Sequence, residues 1–100
     1  MMDLDIQHEE GKRYYIPFEK QKAELTYVET GKTRDFRHTF VPEELRGRKI
    51  AERLVRHALD DSMKSGYKLV PTCPYVESFV KKNPEYQAAV DQAKATKEGW

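Results

Sequence analysis

At Pro42 the hydrophobic pattern of this chain changes its period, and that single change fixes the class of fold. Before it, apolar residues recur at every second position. Tyr14, Ile16 and Phe18 share one face, Ala23, Leu25 and Tyr27 another, and Phe36, His38 and Phe40 a third. Turn residues bound these runs, at Glu10-Gly11-Lys12, Glu19-Lys20-Gln21 and Thr30-Gly31-Lys32. With the alternating Leu4-Asp5-Ile6-Gln7-His8 in front, residues 4–41 predict an antiparallel meander of four strands.

Beyond Pro42 the pairs Ile50/Ala51, Leu54/Val55, Ala58/Leu59 and Ser62/Met63 recur every four residues, with charges between them. That is an amphipathic helix, closed by Gly66. Tyr67-Lys68-Leu69-Val70 follows as a short strand, and Pro74 suits the first position of a new helix, which makes Cys73 its N-cap. Val76, Phe79 and Val80 line one side of that helix. Asn83-Pro84 starts a further helix with Tyr86, Ala89, Val90 and Ala93 in register.

The short strand after the long helix is most readily buried beside the strand before it, and such a crossover makes the two parallel. The expected fold is α+β: a mostly antiparallel sheet built from a four-strand meander, a crossover helix and a fifth strand parallel to the fourth, with C-terminal helices. Residues 1–93 read as one domain and 94–100 as a flexible tail.

A chain of 100 residues builds one core, so any function sits on one compact body. Its 18 basic and 17 acidic residues leave a net charge of +1, which provides no global field for nucleic acid or an anionic membrane. No apolar run is long enough to span a bilayer, and the acidic start Met1-Met2-Asp3-Leu4-Asp5 lacks the basic region and apolar run expected of a signal peptide. A cytoplasmic monomer is expected. The lone Cys73 has no internal disulfide partner, and no His, Cys, Asp or Glu set has metal-ligand spacing.

Any anion site is therefore local, and one segment fits. In Val41-Pro42-Glu43-Glu44-Leu45-Arg46-Gly47-Arg48-Lys49-Ile50-Ala51 a strand end feeds a glycine-bearing turn and then a helix, whose first N–H groups and dipole favour an anion. Arg46, Arg48 and Lys49 oppose the dipole there, a cost that a bound phosphate reverses. The alternative is a solvated face in which these cations pair with Glu43, Glu44 and Glu52.

His38-Thr39-Phe40-Val41-Pro42, followed by Leu45-Arg46-Gly47-Arg48-Lys49-Ile50-Ala51-Glu52-Arg53-Leu54-Val55, resembles the fourth strand, pyrophosphate loop and helix of the GNAT superfamily of acetyltransferases. The loop pattern of that family is Gln/Arg-x-x-Gly-x-Gly/Ala, and Arg46 and Ala51 match its ends. Lys49 departs from it, standing where the pattern keeps a glycine. The run Leu69-Val70-Pro71-Thr72-Cys73-Pro74-Tyr75-Val76, with Asn83-Pro84-Glu85-Tyr86 beyond it, is similar to a short branch of about this length.

The resemblance implies acetyl-CoA as cofactor. Its pyrophosphate would lie on Arg46, Gly47, Arg48, Lys49, Ile50 and Ala51, its pantetheine arm along the backbone of Thr39, Phe40 and Val41, and its thioester near Cys73. It implies N-acetyl transfer to an unidentified amine, small molecule or protein, with a CoA-binding module without turnover as the alternative. Larger relatives insert helices after the first strand and add C-terminal strands. Here Glu9 to Arg13 reads as a tight turn and no strand pattern follows Val90, so a shallow and open acceptor side is expected.

Three residues are catalytic candidates. An N-cap position favours the thiolate of Cys73, which could act as acyl acceptor or base, or could simply pack as a small buried group. His38 is a core histidine or a general base. Tyr75 is a proton donor to the departing thiolate or a packing residue.

Overall fold

The structure is a computed structural model that describes residues 5–91. Four antiparallel strands, β1 (Gln7–Glu9), β2 (Arg13–Phe18), β3 (Gln21–Thr30) and β4 (Thr33–Phe40), lead through a short 3-10 helix (Glu43–Leu45) into α1 (Ile50–Lys64). β5 (Lys68–Pro71), α2 (Pro74–Lys82) and a second 3-10 helix (Pro84–Ala89) complete the described chain. The sheet has the order β1-β2-β3-β4-β5, and β5 runs parallel to β4, with Thr33 opposite Lys68 and Phe36 opposite Pro71. This is the expected α+β architecture.

The period-two pattern works because one sheet face is buried. Tyr14 sits opposite Leu25 and Ile16 opposite Ala23, and all four are buried with Tyr27 and Phe36 against Leu54, Val55, Ala58 and Leu59 of α1. At about 1.5–3 kcal/mol for each large apolar side chain, this face supplies the main stabilising term. Val76, Phe79 and Val80 of α2 join the same core. α1 stops where Gly66 takes a φ of +83°, and the amides of Gly66 and Tyr67 close the carbonyls of Met63 and Ser62 at 3.0 and 2.9 Å.

Three expectations need correction. Strand β1 starts at Gln7, later than the alternating run, and Leu4 lies outside the described residues. The segment after Asn83 forms a 3-10 helix with Tyr86 buried, and Val90 leaves it to bridge Leu69 beside β5; Ala93 and residues 94–100 lie outside the described residues. The third correction bears on the site. Phe36, His38 and Phe40 do not share a face, because Tyr27 pairs with Phe36 while Thr26 pairs with His38, so Arg37 is an extra residue in β4. A bulge of this kind reverses the side-chain alternation beyond it. Thr39 turns to the core side opposite Leu25, while His38 and Phe40 turn to the exposed face.

Opposite the start of α1, the other end of the sheet holds a buried polar cluster around Arg34, which is 1% exposed. Its guanidinium donates to Glu29 at 3.0 Å, to the Tyr14 hydroxyl at 2.7 Å and to Ser62 at 3.0 Å, and lies 3.9 Å from the ring centre of Tyr67. Tyr14 in turn donates to Asp61 at 2.6 Å. His8 stacks on Tyr14 at 3.9 Å, and its Nε2 meets the Tyr27 hydroxyl at 2.6 Å. Burial and the Arg34 charge hold His8 below its ordinary pKa, so it is neutral at pH 7.

Candidate functional site

β4 outruns its parallel neighbour. β5 ends with Pro71 opposite Phe36, and the Cys73 amide makes one further backbone bond, to the Phe36 carbonyl at 2.8 Å. From His38 to Phe40 the strand is paired to β3 and, among the described residues, has no strand on its other side. The two chains splay because Pro74 begins α2 and turns the backbone away, with Cys73 as N-cap in an extended conformation (φ −65°, ψ 128°). The free edge of β4 and the start of α2 diverge from that point.

The bulge aims one side chain into this corner. Thr39 Oγ1 lies 3.3 Å from Cys73 Sγ, and Cys73 is 5% exposed. Tyr75, one residue inside α2, is 42% exposed. Burial, and then the charge of Glu52, raise its pKa, so the phenol keeps its proton at neutral pH. His38 is on the opposite face and does not meet Cys73.

Beyond Val41 the chain turns over an open depression of about 150 Å³, lined by Val41, Leu45, Arg46, Gly47, Lys49, Ile50 and Ala51. Leu45 is fully buried and anchors the turn, while the Arg46 guanidinium donates to the Val41 carbonyl at 3.1 Å. Gly47 and Lys49 both adopt left-handed conformations, with φ of +83° and +58°. Glycine takes this shape without strain; for lysine it costs about 1–2 kcal/mol. Lys49 is also the N-cap of α1, and its side chain makes no capping bond to the first amides of the helix.

The solvated-face alternative needs these cations paired to Glu43, Glu44 and Glu52. Glu44 instead accepts from Gln21 at 3.1 Å, and Glu52 lies 4.0 Å from Arg56. Among the described residues Arg46, Lys49 and Arg53 form no ion pair, whereas Arg13, Arg34, Arg37 and Arg56 all face carboxylates within 4.0 Å. A helix start without a side-chain cap, a turn whose left-handed residues keep the backbone accessible, and Arg46 and Lys49, which form no ion pair among the described residues, together fit a diphosphate.

The structure thus brings Thr39 against Cys73 and lines the depression beyond Val41 with Arg46, Gly47, Lys49, Ile50 and Ala51, while the side chains of His38 and Phe40 turn to the exposed face. Two features were not found from the residues alone. The hydroxyl contact of Thr39 depends on a bulge that no residue type announces. The buried Arg34 had one signal, its place two residues before Phe36 on the core side of the alternation. Among the described residues no group of three His, Cys, Asp or Glu could hold a metal ion, and no helix is long and apolar enough to cross a membrane.

Residues 13–90 match the family described as GCN5-related N-acetyl-transferase. Protein NATD1 of Danio rerio is 39% identical over 88 residues, which cover 84% of this chain and 80% of that protein. Protein NATD1 of Gallus gallus is 34% identical over 85 residues, covering 81% of this chain and 77% of that protein. The solution structure of a GCN5-like protein from Staphylococcus aureus superposes with a TM-score of 0.72 over 98% of this chain and 95% of that one, at 22% identity, a likeness of fold.

Proposed function

The chain belongs to the GCN5-related N-acetyl-transferase family, and on that premise we propose that it binds acetyl-CoA and transfers the acetyl group to an amine acceptor, a small molecule or a protein. The observation that carries this reading is the turn before α1, where left-handed Gly47 and Lys49 lead into an uncapped helix start beside cations that form no ion pair. In it the backbone N–H groups of residues 47–51, with Arg46 and Arg48, hold the pyrophosphate. The backbone of Thr39, Phe40 and Val41 pairs with the pantetheine arm as an added strand pairs with a sheet edge.

Acetyl-CoA supplies the acetyl group as a thioester. Cys73, steadied by the Thr39 hydroxyl at 3.3 Å, accepts the acyl group or takes the proton of the acceptor amine. Tyr75 carries the proton for the departing thiolate. His38 has no part in this arrangement. The second reading, a module that holds acyl-CoA without turnover, is favoured by the burial of Cys73 and by the outward turn of His38.

Mass spectrometry separates the two. Native spectra are expected to show one acetyl-CoA per chain, and denatured wild-type protein an acetyl group on Cys73 that Cys73→Ala loses while still binding the cofactor, because the turn is a separate element. Binding without that adduct, but with acetylation of an added amine, identifies direct transfer. Binding with neither leaves the second reading, and no binding overturns both.

A further inference from the structure

At the Arg34 end of the sheet, one phenol ties down both β1 and the turn that follows it. The Tyr27 hydroxyl accepts the Gly11 amide at 2.9 Å and meets His8 Nε2 at 2.6 Å. Having accepted one bond, it has its own proton to give, and His8 Nε2 takes it. This count assigns the His8 tautomer, with the ring proton on Nδ1, 3.8 Å from Asp61 Oδ2. The imidazole also lies flat on the Tyr14 ring, with centroids 3.9 Å apart and planes at 5°. His8 belongs to a strand of three residues that pairs with β2 alone, so side-chain contacts carry much of its attachment.

The elements packed around His8 have already committed their charges. β2 presents the Tyr14 phenol, and α1 presents Asp61, which accepts from Tyr14 at 2.6 Å, and His57, whose ring lies edge-on to Tyr14 at 5.9 Å. From β3 comes Glu29, which accepts from Arg34 at 3.0 Å and from the Tyr67 hydroxyl at 3.1 Å. The turn after β1 brings Glu10 to 3.5 Å from the guanidinium of Arg34, and β4 supplies that guanidinium. A proton added to Nε2 from solvent meets the Tyr27 donor head-on, beside a buried cation, with each facing carboxylate already engaged.

From this geometry we infer that His8 is a proton-operated latch, whose protonation breaks the bond to Tyr27 and releases β1 and the following turn, uncovering the outer edge of β2 and the Arg34 cluster. The latch stands apart from the acetyl-CoA reading and survives its failure. Burial, and then the Arg34 charge, lower the proton affinity of the latched ring. The latch is therefore complete above the ordinary histidine pKa of about 6.5 and weakens as pH falls below it.

Amide hydrogen exchange on the full chain tests this, with Gly11 as the direct reporter because its amide is held by the Tyr27 hydroxyl. Protection relative to an unstructured chain is expected to fall roughly tenfold at Gly11 and in the β1–β2 pair from about pH 7.5 to about pH 5, while the β3–β4 ladder keeps its protection. The His8 ring signals are expected to titrate below the ordinary value, over the same range. His8→Gln keeps an acceptor for Tyr27 without a titrating ring, and His8→Phe keeps a ring on Tyr14. Both are expected to hold their own level of protection unchanged across that range. An equal fall in His8→Gln and wild type would assign the effect to Asp61, Glu10 or Glu29 and overturn the inference. So would a His8 ring that titrates at or above about 6.5, or Gly11 protection in wild type that does not change with pH.

Discussion

Replacing Arg34 with alanine is expected to lower the unfolding free energy by about 3 to 5 kcal/mol, the range for removing one partner of a buried ion pair. The guanidinium is 1% exposed and serves Glu29, Tyr14 and Ser62 at once, so its loss leaves a carboxylate and two hydroxyls short of partners and removes a planar group packed between the Tyr27 and Tyr67 rings. Glu29 is partly exposed, and water recovers some of that loss. A domain of this size has about 5–15 kcal/mol in total, so the effect is large. Arg34→Lys keeps the charge without the fork and should fall between the two. Urea denaturation at constant slope measures this, and a loss below about 1 kcal/mol would show the cluster to be incidental.

Gly47→Asp is expected to have the largest effect on the cofactor. The backbone at φ +83° strains any other residue, so the comparison must separate shape from charge. Gly47→Ala does so, since a Cβ there meets no atom within 4 Å and the substitution adds only the left-handed penalty of about 1–2 kcal/mol in stability. Its CoA affinity should stay within a few-fold of wild type. Gly47→Asp carries the same strain and adds a carboxylate beside the pyrophosphate, a repulsion of about 2 to 4 kcal/mol at contact distance, or roughly thirty-fold to several-hundred-fold in affinity. Calorimetry on the folded variants reads this directly. Equal affinities for the alanine and aspartate variants would place the phosphates elsewhere.

The parts of this molecule that one residue pattern controls were legible before any coordinates. Alternation placed Tyr14, Ile16, Ala23, Leu25 and Tyr27 on the buried face, the four-residue spacing placed α1, and Pro74 placed Cys73 at the start of α2. What escaped was set by register and partners. One extra residue at Arg37 leaves composition and local propensity unchanged, yet it reverses His38 and Thr39, and with them the choice of side chain that meets Cys73. A charged residue in an alternating run reads as surface, so the burial of Arg34 depends on acceptors from β2, β3 and α1 that only the fold assembles. The helix expected after Pro84 tightened to a 3-10 helix because Val90 and Asp91 turn aside to bond Leu69 at the edge of β5.

The central claim is that the cofactor lies along one cleft, from the Thr39 edge of β4 to the turn before α1. Amide chemical shifts during a CoA titration map it residue by residue. Changes are expected at residues 39–41, at 46–51 and at Cys73, with the amides of Tyr14, Tyr27 and Arg34 at the far end of the sheet unmoved. Changes centred on the Arg34 end, or none at saturating CoA, would contradict the account.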